Sequence, residues 1–68
     1  MPYSYKEIEK KLLKLGYKIV RQNGSHVIFC KGDMLFPVPK HSGKDISIGI
    51  ENKIIKNIGI YKEDFKNL

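Results

Sequence analysis

The chain has no tryptophan, a single cysteine, few carboxylates and no long apolar run. Each scarcity removes a class of protein. One thiol, Cys30, cannot form an intramolecular disulfide, so a reducing cytoplasm is the expected location. Glu7 and Glu9 fall where a secretory signal would need apolar residues. No segment approaches the run of about eighteen apolar residues that a membrane span requires, so no membrane partner is expected. Metal ligands are also scarce. Beside Cys30 stand only two histidines, His26 and His41, without clustered carboxylates, and neither a zinc nor a magnesium site is expected. There is no Walker-type glycine loop, since Gly24, Gly32 and Gly43 each read as turn residues, and no cofactor is implied.

Basic residues are plentiful: thirteen Lys and Arg stand against seven Asp and Glu, a net charge of +6. A polyanion is the partner such a surface suits. Between Tyr17 and Lys44 the cations Lys18, Arg21, Lys31, Lys40 and Lys44 face Asp33 alone, so the middle of the chain carries +4 of the excess. The 68 residues form one expected domain, 1–68. A domain this short buries roughly 60% of its unfolded surface, leaving little room for a deep cavity beside a core. Its active surface should be shallow and its substrate large.

Ser4 with Glu7 three residues on is a capping-box pattern, and Tyr5, Ile8, Leu12 and Leu15 keep helical spacing to a stop at Gly16. A helix over Ser4–Leu15 is expected, with Lys6, Lys10, Lys11 and Lys14 on or beside its solvent side. From Tyr17 the period becomes two, and the run ends at Asn23-Gly24, a type I′ hairpin signal. A turn at that dipeptide places Arg21 opposite His26, Ile19 opposite Ile28 and Tyr17 opposite Cys30. The row then runs along a core-facing side to end in Arg21 and His26, with Cys30 filling core space. The other face, with Val20, Val27, Phe29, Phe36 and Val38, is also rather apolar for a face left in water, and periodicity does not decide how much of it is covered. A third strand spans Met34–Val38, where Pro37 and Pro39 favour an edge. Ile50, Ile54, Ile55 and Ile58 mark a second helix ending at Gly59, with Ser47 preferred over Asp45 as its N-cap. The tail predicts a short helical turn with Tyr61, Phe65 and Leu68 folding back. The fold class is α+β: helix, three-stranded antiparallel meander, helix, with both helices on one sheet face.

His26 is the candidate for chemistry. It comes just after a tight turn at the end of a strand, and an imidazole, with its ordinary pKa of about 6.5, exchanges a proton at cellular pH. RNA carries its own nucleophile, the ribose 2′-hydroxyl, which attacks the adjacent phosphorus once a base removes its proton. General acid-base catalysis contributes about 10² to 10⁴-fold, so nearby cations must also stabilise charge building on the phosphate. Arg21, Lys40 and Lys44 are the candidates for that role. His41 lies in the basic loop Pro39-Lys40-His41-Ser42-Gly43-Lys44, which leads toward a helix N-terminus and so toward a phosphate-binding position.

Gly16-Tyr17, Arg21-Gln22-Asn23-Gly24-Ser25-His26, Phe29, Val38-Pro39, His41, Lys44-Asp45, Gly49 and Gly59-Ile60 together resemble the HicA toxin family over almost the whole chain. The most specific part is Gly24-Ser25-His26 with Phe29 after it. The resemblance implies a fold like that of double-stranded RNA-binding domains, metal-independent cleavage of messenger RNA with His26 as catalyst, and inhibition by a HicB-like antitoxin protein. The expected RNA-binding residues are Arg21, Lys40, His41 and Lys44, with Gly24 and Ser25 at the hairpin tip. The chain departs from the family pattern after Gly49, where Ile50 and Glu51 replace the common threonine and leucine. Two other functions fit the same composition: a non-catalytic RNA-binding module, and a protein-interaction module docking a partner on the Phe29 and Phe36 face.

Overall fold

A computed structural model describes residues 3–41 and 43–68. The elements run α1 (Tyr5–Lys14), β1 (Lys18–Asn23), β2 (His26–Lys31), β3 (Met34–Pro39), α2 (Ile48–Ile58) and α3 (Lys62–Lys66). The strands form an antiparallel sheet in the order β1-β2-β3, so the proline-containing β3 lies at an edge, as its missing N–H donors require. The arrangement is α+β. Among the described residues no helix is long and apolar enough to cross a membrane.

The helix ends are set by their cap residues. Ser4 Oγ accepts from Glu7 N at 3.2 Å while the Glu7 carboxylate accepts from Ser4 N at 3.0 Å, a complete capping box. The bond from the Ser4 backbone, seconded by its hydroxyl, holds the Glu7 carboxyl below its ordinary range. Ser47 caps α2 through Ile50 N at 3.3 Å, and Gly59 closes it with a left-handed φ of 72° that a side chain would resist.

The core takes Val27, Phe29, Phe36 and Val38 from one sheet face, Tyr5, Ile8 and Leu12 from α1, Ile54 and Ile55 from α2, and Phe65 from α3. Three sequence-based expectations are corrected here. First, the hairpin turn is Gly24-Ser25: Asn23 pairs with His26, Gln22 with Val27 and Arg21 with Ile28. A type I′ turn at Asn23-Gly24 would need positive φ at both residues. Only Gly24 has it, at 56°, and no non-glycine residue adopts positive φ among those described. Second, the buried face is the Phe29 row. A one-residue slip moves every side chain to the other face, and a bulge between Ile19 and Arg21 then sends Tyr17 to the core while Arg21 stays outside. Cys30 is half-buried on the outer face and donates to Gly32 O. With Phe29 and Phe36 inside, the interaction module lacks its docking face. Third, Tyr61 does not fold back and stays 81% exposed, while Phe65 anchors the tail and Leu68 packs against the core.

Lys11, expected on or beside the solvent side of α1, is buried instead. Its ammonium donates to the carbonyls of Phe65, Lys66 and Leu68 at 3.0, 3.1 and 3.3 Å, tying α1 to the C-terminal end of α3. It also lies within 5.5 Å of the centres of the Tyr3 and Phe65 rings. A buried cation is tolerated here because every proton has a partner.

Candidate functional site

Strand pairing puts His26 at the first position of β2, between Asn23 on β1 and Pro39 on β3. Its side chain shares the outer face with Arg21 and Ile28, and it is exposed. A backbone bond from Lys40 N to Ser25 O ties the end of β3 to the hairpin tip and extends the pairing one residue beyond His26. At the other end of the loop, Ile46 N donates to Tyr3 O at 2.7 Å and Ser4 bridges Asp45. The segment 40–45 is therefore anchored both to the hairpin tip and to the start of α1. Ser42, within the basic loop singled out in the sequence, lies outside the described residues.

These anchors frame a groove of about 800 Å³ between β3 and α2. Its polar rim comprises His26, His41, Lys44, Lys53, Lys56 and Asn57, over a floor that includes Pro37 and Ile50. Asp45 is the one carboxylate in its lining. Three lysines thus face a surface that also carries an exposed imidazole, an environment that attracts anions and raises their local concentration. Ser47, also in the lining, spends its hydroxyl on the α2 cap, so anion binding at this helix end depends on the lysines more than on that serine.

The expected site residues divide among four places. His26, His41 and Lys44 line this groove together. Lys40 does not: its ammonium lies 5.2 Å from the centre of the Tyr5 ring and lines a second depression with Ser4, Lys6, Gln22, His41, Gly43 and Lys44. Burial, then the charge of Glu9 and a hydrogen bond to it at 3.4 Å, pushes the Tyr5 phenol up to about 12. Arg21 lines neither depression. It sits one outer-face pair along from His26, a diagonal of about 7–8 Å between backbones in an antiparallel sheet. Gly24 and Ser25 form the turn that sets where β2 begins.

Lys53, Lys56 and Asn57 were not singled out in the sequence. Their three- and four-residue spacing places them on one helical face, but that pattern is shared by any solvated helix, and only the packing of α2 beside β3 turns the face toward His26. Among the described residues no three His, Cys, Asp or Glu side chains cluster as metal ligands.

Residues 5–60 match the family model described as the HicA toxin of bacterial toxin-antitoxin systems. No curated protein matches the chain.

Proposed function

The chain belongs to the HicA toxin family of bacterial toxin-antitoxin systems, and from that premise we propose that it is a metal-independent endoribonuclease that cuts messenger RNA through His26. The toxin acts in the cytoplasm as one domain. The observation that carries the proposal is the exposed His26 imidazole on a groove shared with His41, Lys44, Lys53 and Lys56.

RNA laid in that groove brings a ribose 2′-hydroxyl to the imidazole. His26 takes its proton, the 2′-oxygen bonds to the adjacent phosphorus, and the bond from phosphorus to the 5′-oxygen breaks. The departing 5′-oxygen takes a proton from solvent water, leaving a 2′,3′-cyclic phosphate and a 5′-hydroxyl, and the proton held by His26 passes back to solvent. Negative charge grows on the non-bridging oxygens during attack, and ammonium groups already in place stabilise it without reorganising. Lys44, Lys53 and Lys56 line the same groove as His26 and supply these groups in the proposal. Arg21 contacts the strand where it leaves over the outer face. Because the substrate supplies the nucleophile, no metal-bound water is required.

The partner that a toxin-antitoxin family implies is an antitoxin. In this proposal it is a HicB-like protein that covers the same groove. Purified toxin incubated with single-stranded RNA and excess chelator tests the chemistry: fragments ending in cyclic phosphate are expected. RNA that is bound but left intact would make the chain a binding module.

A further inference from the structure

We propose that the depression between the start of α1 and the loop 40–45 is a second phosphate-binding site, which holds the RNA strand on the far side of the loop from His26. The inference rests on the ribonuclease proposal and extends its substrate contacts to Lys6, a residue that helical periodicity assigns to plain solvent.

The depression has a volume of about 590 Å³ and gathers Lys6, Lys40 and Lys44 around one hollow. Asp45, the carboxylate in the same lining, offsets one of these three charges, and a phosphodiester supplies an anion for the remaining excess. The capping box already occupies Glu7 N and Ser4 N, so those two N–H groups are not offered to the site. The recognition is assigned to the cations Lys6, Lys40 and Lys44. Lys40 is positioned rather than free: the Tyr5 ring lies beneath its ammonium.

Continuity with the His26 groove is the second observation. His41, Lys44 and Asp45 line both depressions, so the loop is a low ridge between two basic hollows. Its two anchors, Lys40 to Ser25 and Ile46 to Tyr3, fix how far apart the hollows lie. A strand bound at His26 meets Lys44 on the ridge and then Lys40 and Lys6 beyond it. Single-stranded RNA suits this path, because it bends over a ridge and because in-line attack by the 2′-oxygen requires a sugar-phosphate geometry that a regular A-form duplex does not adopt.

The test uses full-length protein carrying His26→Ala, so that RNA is bound without being cut, and a fluorescein-labelled oligouridylate titrated over a range of sodium chloride. Each phosphate neutralised on a single strand contributes about −0.7 to the slope of log affinity against log salt. Adding Lys6→Ala should reduce the steepness of that slope by about 0.7, whereas Lys62→Ala, which removes the same charge from the exposed start of α3, should leave it unchanged. Charge reversal by Lys6→Glu should weaken binding further than Lys62→Glu. Equal slopes for the Lys6 and Lys62 variants overturn the second site and leave the ribonuclease proposal standing. A protein that binds no RNA at any salt concentration overturns both.

Discussion

At the residue scale the proposed activity depends on one side chain whose surroundings are set by backbone pairing. His26 is exposed at the first position of its strand, so replacing it should leave the fold intact. His26→Ala is expected to lower RNA cleavage by about 10² to 10⁴-fold, the range of lost acid-base catalysis, while RNA affinity falls little. Single-turnover cleavage and fluorescence binding on the same preparation separate the two; equal loss of both would point to a binding role for the ring. Tyr5 supports a different kind of prediction. Its phenol is pushed up to about 12, whereas an unfolded tyrosine ionises near 10. The unfolded chain therefore sheds this proton first as pH rises. The stability contributed by neutral Tyr5 is complete below about pH 10 and is lost on the way to pH 12. Tyr3 and Tyr17, both raised chiefly by burial, add the same sign. Urea midpoints taken on either side of pH 10 should fall with rising pH, and the fall should be smaller in Tyr5→Phe.

At the element scale, each part of the sheet and its flanking helices is held by a few local bonds that also position the site. The capping box of α1 sits beside Asp45, so the cap and the loop anchor share Ser4. Ser4→Ala removes the side-chain acceptor and should cost about 1 kcal/mol. In a domain of this size that corresponds to a melting temperature lower by about 4–8 °C. The loss should shrink as pH falls through the depressed titration of Glu7, because a protonated Glu7 has already weakened the box. Thermal melts of both proteins at neutral and acid pH check this; an equal difference at both would remove Glu7 from the account.

At the scale of the whole molecule, 68 residues leave a thin stability margin, roughly 3–10 kcal/mol by the usual per-residue range. A partner that binds only the folded toxin is then a large perturbation. An antitoxin present at a hundred times its dissociation constant adds about 2.7 kcal/mol. That should raise the melting temperature by about 10–20 °C. A HicB-like antitoxin should produce this shift and suppress RNA cleavage at a one-to-one ratio of sites. A melting curve and a cleavage rate that both ignore the added protein would rule it out as the cognate partner. Clustering of charge matters at this scale too: of the basic side chains around the two hollows, Lys40 and Lys44 come from the middle of the chain, Lys6 from α1, and Lys53 and Lys56 from α2.

Much of this was legible from short stretches of sequence, because a helix cap or a tight turn depends on four or five consecutive residues. Ser4 with Glu7, Ser47, Gly59 and the Asn23-Gly24-Ser25 punctuation marked element ends, and the changing hydrophobic period carried the α+β order. Which face of the sheet is buried was not legible, since His26–Lys31 carries apolar side chains on both sides and β1 changes sides at its bulge. The choice between those faces belongs to contacts with Ile8, Leu12, Ile54 and Phe65, residues far away in the chain. The same holds for the groove: His26 could be named from its neighbours, but Lys53 and Lys56 join it only because α2 packs beside β3. Interactions between adjacent residues are written in order along the chain, whereas packing energy depends on separations that exist only after the chain has closed on itself.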